Sequence, residues 1–107
     1  MTTFDERERA FEAAFAHDQD MRFRAFARRN KALGLWAAGR LGKTGEDAEA
    51  YAKSVVAAGV ARAGDASVME KIAGDLQAGG APVPDEEIGT LLVTFMNDAI
   101  LAQKAKV

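Results

Sequence analysis

Toward the C-terminus of this chain, Ile88, Leu91, Leu92, Phe95, Met96, Ala99 and Ile100 recur at spacings of three and four. Residues so spaced share one face of an α-helix, so the stripe predicts a helix with one side turned to a core. An apolar face of that length needs helical partners. Val68, Met69, Ile72 and Leu76 make a second stripe, and Tyr51, Val55, Val56 and Gly59 a narrower third. No segment alternates with period two and β-branched enrichment, so no strand is expected.

The punctuation agrees. Thr3 with Glu6 forms a capping-box pattern, which opens a helix that can run to Leu41, where Gly42 supplies a left-handed stop. Thr44 caps a second helix through about residue 62, ended by Gly64. Ser67 with Glu70 repeats the capping box and opens a third helix to about Ala78, closed by Gly79 and Gly80. Pro82 and Pro84 interrupt the chain, and Asp85, Glu86 and Glu87 favour the positive first turn of a fourth. Helices joined by loops this short predict an all-α fold, a small four-helix bundle. Gly59, Gly74 and Gly89 fall inside the predicted helices and each costs about 0.5 to 1 kcal/mol relative to alanine, so moderate stability is expected.

The first segment does not read as one straight element. Phe4, Phe11 and Phe15 share one face, whereas Phe23, Phe26, Leu33, Gly34, Ala37 and Leu41 share another rotated by roughly 80°. Continued along a regular helix, the first stripe runs onto Arg22, Arg29 and Arg40, which places the three phenylalanines on the polar side of the bundle. Between the halves lies His17, Asp18, Gln19, Asp20, a run of weak helix formers, so a break or flexible joint is expected near residues 17 to 20. Two units result: residues 1–20, an N-terminal segment that is flexible or helical, and residues 21–107, the bundle. The competing reading is that the joint re-aims the helix and all five phenylalanines enter one core.

Composition excludes much chemistry. The 107 residues include no cysteine and one histidine, with 14 basic and 16 acidic side chains. His17 has no second histidine, cysteine or apolar carboxylate pair to converge with, so neither catalysis nor a bound metal or other cofactor is expected. No stretch approaches the ~20 apolar residues that span a bilayer, and the N-terminus lacks the pattern of a signal peptide, which points to the cytoplasm without membrane insertion. Ala37 to Thr44, AAGRLGKT, resembles a relaxed phosphate loop with alanine in place of the first glycine. A true phosphate loop follows a β-strand and this one follows a helix, so only a weak nucleotide contact at Lys43 and Thr44 is retained.

Charge falls in three blocks. Residues 1–20 hold six acids and two bases, residues 21–43 seven bases and no acid, and the remainder ten acids and five bases. Either the basic block packs against the acidic ones or it faces an acidic partner. Overall acidity and the lack of a domain-wide basic face argue against nucleic acid.

FDERERAFEAAFAHD at Phe4 to Asp18 and ARRNKALGLWAAGRLGKTGEDAEAYAK at Ala27 to Lys53 resemble the zeta subunit family of alphaproteobacteria, which inhibits the rotary ATP synthase. The likeness implies a four-helix bundle whose N-terminal segment becomes an inhibitory helix. That helix would enter the catalytic head at an interface between nucleotide-binding subunits, near the central rotor, and block hydrolysis. The implied partners are the catalytic-head subunits and the rotor, with peripheral association at the membrane-bound synthase and a monomer when free.

Both lines of reasoning select the same residues. Phe4, Phe11 and Phe15 are apolar anchors at spacings of seven and four, flanked by Glu6, Arg7, Glu8 and Arg9 to set register. Arg22, Arg24, Arg28 and Arg29 would guide docking onto an acidic surface. Burying three phenylalanines yields about 1.5 to 3 kcal/mol each, against an association cost of about 4 to 15 kcal/mol, so charge contacts and the folded body must contribute. The alternatives are a helical adaptor for another protein and a nucleotide-sensing protein-binding domain.

Overall fold

The computed structural model describes residues 19–62 and 64–105, the last two by backbone alone. Four helices account for nearly all of them: α1 (Gln19–Arg40), α2 (Gly45–Ala61), α3 (Asp65–Ala78) and α4 (Asp85–Ala105). No strand occurs among the described residues, and the all-α four-helix bundle expected from the apolar stripes is the architecture found. α1 is the shared element, packing most extensively on α2, then on α4, and more lightly on α3.

Helix ends follow the glycines. Gly42 and Gly80 adopt φ of +76° and +77°, the left-handed region that glycine enters without a Cβ clash. Each closes its helix in the same way. The Lys43 N–H donates to the Ala38 carbonyl and the Gly42 N–H to the Gly39 carbonyl, at 2.8 and 3.2 Å. The Ala81 N–H reaches Leu76 O and the Gly80 N–H reaches Gln77 O, at 2.8 and 3.1 Å. These paired bonds satisfy carbonyls that the end of a helix leaves orphaned.

One expectation at a helix start is corrected. Ser67 does not cap α3, because the helix has already begun at Asp65 with Gly64 as its N-cap. The Ser67 hydroxyl instead lies 3.1 Å from Arg62 O, 3.3 Å from Gly64 O and 3.4 Å from Ala58 O, so it faces the turn between α2 and α3, where the Arg62 carbonyl is its nearest acceptor. Of the joint expected at residues 17 to 20, Gln19 and Asp20 are helical. Asp20 pairs with Arg24 one turn on, at 3.0 Å, and as an acid in the first turn it favours the start of α1. His17, Asp18 and the Thr3–Glu6 capping box lie outside the described residues.

Leu33 and Ala37 from α1 meet Val55 from α2, Val68, Ile72 and Leu76 from α3, and Ile88 and Leu92 from α4 in the main core. A smaller cluster joins Ala25 to Ala99, with Met21, Met96 and Ile100 packed around it, and aligns the start of α1 with the end of α4. Phe23 departs from the expectation: it is 57% exposed, although its helical phase matches the buried stripe. Phase sets the direction of a side chain, and no helix among the described residues covers Phe23.

The α1–α2 seam is close because two glycines allow it. A Cβ on Gly34 would lie 2.7 Å from Ala52 Cα, and one on Gly59 would collide with the Asn30 amide. Gly59 therefore has a packing reason that its helix propensity conceals, whereas Gly74 and Gly89 meet nothing within 4 Å. Gly34→Ala is expected to destabilise the bundle by about 1 to 3 kcal/mol, because the obstructing atom is backbone and the helices must separate. Gly74→Ala is expected to stabilise by up to about 1 kcal/mol. Urea denaturation of both variants measures the contrast.

Candidate partner-binding surface

The basic block of the sequence lies along α1, and the bundle treats its members differently. Arg29 is 4% exposed. Its Nη1 pairs with Asp65 Oδ1 at 2.9 Å, Nε and Nη2 both donate to Asn30 Oδ1 at 3.0 and 2.9 Å, and the guanidinium lies 4.9 Å from the centre of the Phe26 ring. Asn30 is itself buried. This corrects the sequence-based placement of Arg29 on the polar side of the helix: it is an interior group that ties α1 to the start of α3. The face shared by Arg22, Arg29 and Arg40 is consequently not polar throughout.

Lys31 and Arg40 also turn toward the third charge block, with Lys31 3.6 Å from Glu49 and Arg40 3.9 Å from Glu87. Both pairs are about half exposed, so each is worth at most about 1 kcal/mol. Internal neutralisation, one of the two readings of the charge blocks, therefore accounts for Arg29, Lys31 and Arg40. Arg22, Arg24 and Arg28 are left nearer solvent. Arg22 lies over the Phe26 ring at 5.5 Å, and among the described residues Arg24 pairs only with Asp20 on its own helix while Arg28 is half-buried with no ion pair. Phe4, Glu6, Arg7, Glu8, Arg9, Phe11 and Phe15 lie outside the described residues.

A groove of about 600 Å³ opens between the first turns of α1 and the last turns of α2. Phe23, Phe26, Val56 and Val60 form its apolar walls, and Val60, like Phe23, is well exposed, at 60%. The floor is the Arg29–Asn30–Asp65 network. Sequence reasoning missed Asn30, Asp65 and Val60 as parts of one surface. A glycine at 59, opposite a polar residue on a neighbouring helix, was the available signal, but it required knowing which helices adjoin.

The AAGRLGKT segment forms no phosphate cradle. Ala37 to Arg40 complete α1, and the amides of Leu41, Gly42 and Lys43 all donate to carbonyls of the helix end. Thr44 is the extended N-cap of α2 without a side-chain capping bond. Nearby, the Tyr51 hydroxyl donates to Asp75 Oδ2 at 2.8 Å and Lys71 Nζ donates to the same oxygen at 3.0 Å, joining α2 to α3. Burial raises the Tyr51 pKa, reinforced by the bond to Asp75 and its charge. Burial would also raise Asp75, but the bonds from Lys71 and Tyr51 and the charges of Lys71 and Lys43 outweigh it and hold the carboxyl below its usual range. Lys43 thus contributes its charge to this internal cluster.

The model of the family ATPase inhibitor subunit zeta matches residues 1–102. The chain belongs to that family. A solved structure described as the solution NMR structure of a protein is 40% identical, covers 81% of this chain and 99% of its own, and superposes with a TM-score of 0.70. A search of curated proteins gives no match. Membership of the zeta family indicates a regulatory ATPase inhibitor. The matched region includes the acidic, aromatic N-terminal segment as well as the bundle. No helix among the described residues is long and apolar enough to cross a membrane.

Because Arg29 holds the bundle together, its substitution tests stability before it tests binding. Arg29→Ala leaves Asn30 and Asp65 without their shared cation and is expected to destabilise the fold by about 1.5 to 3 kcal/mol. Arg24→Ala, in an exposed pair, should change stability by no more than about 0.5 kcal/mol. Thermal and urea unfolding of both variants checks the difference.

Proposed function

We propose that this zeta-family inhibitor acts on the rotary ATP synthase by inserting its N-terminal segment at a catalytic subunit interface beside the rotor, with the bundle as the docking body. The observation that carries the reading is that the family match begins at residue 1, so the segment holding Phe4, Phe11 and Phe15 belongs to the inhibitor as much as the bundle does. Its chemistry suits a helix-in-groove contact: apolar anchors at spacings of seven and four, with Glu6, Arg7, Glu8 and Arg9 able to form charge-assisted bonds at the rim. Fifteen residues of helix span roughly 22 Å, enough to cross a subunit interface and reach a central shaft. Rotation in the hydrolytic direction would then require the wedge to be withdrawn.

The bundle supports this in two ways. Arg22, Arg24 and Arg28 remain near the surface at the end of α1 where the segment joins, and can steer the body toward an acidic surface. A second point of contact also raises the effective concentration of the wedge at its site. Arg29 has no part in steering, since it is buried in the ion pair with Asp65.

Hydrolysis by purified ATP synthase tests the proposal. Full-length protein should inhibit, protein lacking residues 1–18 should not, and Phe11→Ala should inhibit more weakly, with circular dichroism showing each bundle folded. Undiminished inhibition by the truncated protein would overturn the wedge, and co-purification with some other protein in place of synthase subunits would favour an adaptor. Reversing charge at Arg24 and Arg28 together should slow association at low salt and have less effect at high salt; an unchanged rate at low salt argues against steering.

A further inference from the structure

Phe23 and Val60 belong to different helices, yet both are about three-fifths exposed and both line the groove at the start of α1, with Phe26 and Val56 partly buried beside them. A single exposed apolar side chain is ordinary, but four that converge on one concavity form a patch, and no helix among the described residues covers it. We propose that this groove is the bundle's docking site on the rotary ATP synthase, and that it takes one amphipathic, acidic helix of the synthase whose apolar anchors recur at spacings of three and four. The proposal rests on the reading that the bundle is the docking body of the inhibitor, and it adds which face docks and what that face recognises.

Shape and charge select this occupant. The groove wall on α1, from Gln19 to Asn30, covers about 17 Å, which is three turns of a helix and room for anchors at i, i+3 or i+4, and i+7. Charge sets the sign. Asp65, the one acid of the lining, is already paired with Arg29 at 2.9 Å, so the two cancel in the floor. Of the three arginines left near solvent, Arg22 is the one on the groove wall, and no acid among the described residues pairs with it. Its guanidinium lies 5.5 Å from the centre of the Phe26 ring, and stacking on an aromatic face leaves the in-plane N–H groups able to donate. The groove therefore combines apolar walls with an uncompensated cation at its edge. A carboxylate beside the partner's apolar anchors would complete it with a charge-assisted bond.

Other occupants suit the site less well. Two copies face to face would bring together two grooves of the same positive sign, which costs rather than gains energy. A bilayer is flat, so it would reach Phe23 and Val60 at the rim and leave the more deeply set Phe26 and Val56 unused. A helix fills the concavity and meets both walls.

Binding of the full-length protein to purified ATP synthase at low salt tests the site, with circular dichroism showing each variant folded. Val60→Glu puts a negative charge on the groove wall at an exposed position and should weaken binding about fivefold or more, the loss expected of a side chain at the centre of an interface. Arg22→Glu should weaken it comparably. Val60→Lys removes the same apolar contact but adds positive charge, so it should weaken binding less than Val60→Glu. Thr94→Glu, exposed on α4 and outside the groove, should leave binding unchanged. Unchanged binding in both Val60→Glu and Arg22→Glu would overturn the site, and equal weakening by Glu and Lys at residue 60 would overturn the acidic partner. The sequence has no cysteine, so Val60→Cys accepts a single benzophenone label. Photolysis on the synthase should join it to a helical segment of one synthase subunit that carries Asp or Glu beside its apolar residues. Cross-links confined to the inhibitor chain, to a second copy of it or to a basic segment would overturn the proposal, as would retention by anionic phospholipid vesicles that Val60→Glu abolishes. Unchanged binding by the groove variants while Phe11→Ala still weakens inhibition would remove the groove and leave the wedge. Weakened binding by Val60→Glu, with inhibition undiminished in protein lacking residues 1–18, would remove the wedge and leave the groove.

Discussion

The structure depends on how closely α1 approaches α2. At Gly34 the helices meet almost backbone to backbone, since even a methyl group there would press on Ala52 Cα. One turn toward the N-terminus the same seam admits the Asn30 amide over Gly59, and Asn30 in turn receives two bonds from Arg29. Small residues therefore make the contact, and a buried polar cluster sits directly beyond it. Close packing holds the two helices together at Gly34 and Gly59, and the groove opens beside that contact, with Phe23 and Val60 on its walls.

Electrostatics follows from the same packing. Seven bases between residues 21 and 43 look like a surface for an acidic partner. The bundle uses part of that charge internally: Arg29 reaches α3, Lys31 reaches α2 and Arg40 reaches α4. Only the first of these is mostly withdrawn from water, and it is the one that a substitution would damage most. What remains available, Arg22, Arg24 and Arg28, is concentrated near the start of α1. The surface charge that can act on a partner thus lies beside the segment proposed to enter it.

The helices were legible in the sequence because their signals are local. Ile88 through Ile100 declare a buried face by spacing alone, and Gly42 and Gly80 end helices because glycine reaches positive φ without strain. Thr44 and Asp85 likewise mark starts that the structure keeps. Ser67 misled because a capping-box pattern specifies neighbours three residues apart and not which carbonyls need a donor. The Arg62 carbonyl, just past the end of α2, did. The partner-binding surface was less legible. Phe23 shared its phase with buried residues, and Arg29 shared its phase with exposed ones, yet each finished on the other side.

Sequence by itself determined the all-helical class, the positions of the turns, the absence of a disulfide framework and, through a motif-bearing N-terminal half, the family. Each of these is encoded over a few residues or in composition, so no knowledge of neighbours is required. Tertiary structure alone decided which glycine is indispensable, which arginine is interior and where an apolar surface stays open. Burial is a property of two or more elements together: a side chain's direction comes from its own helix, but its cover comes from another.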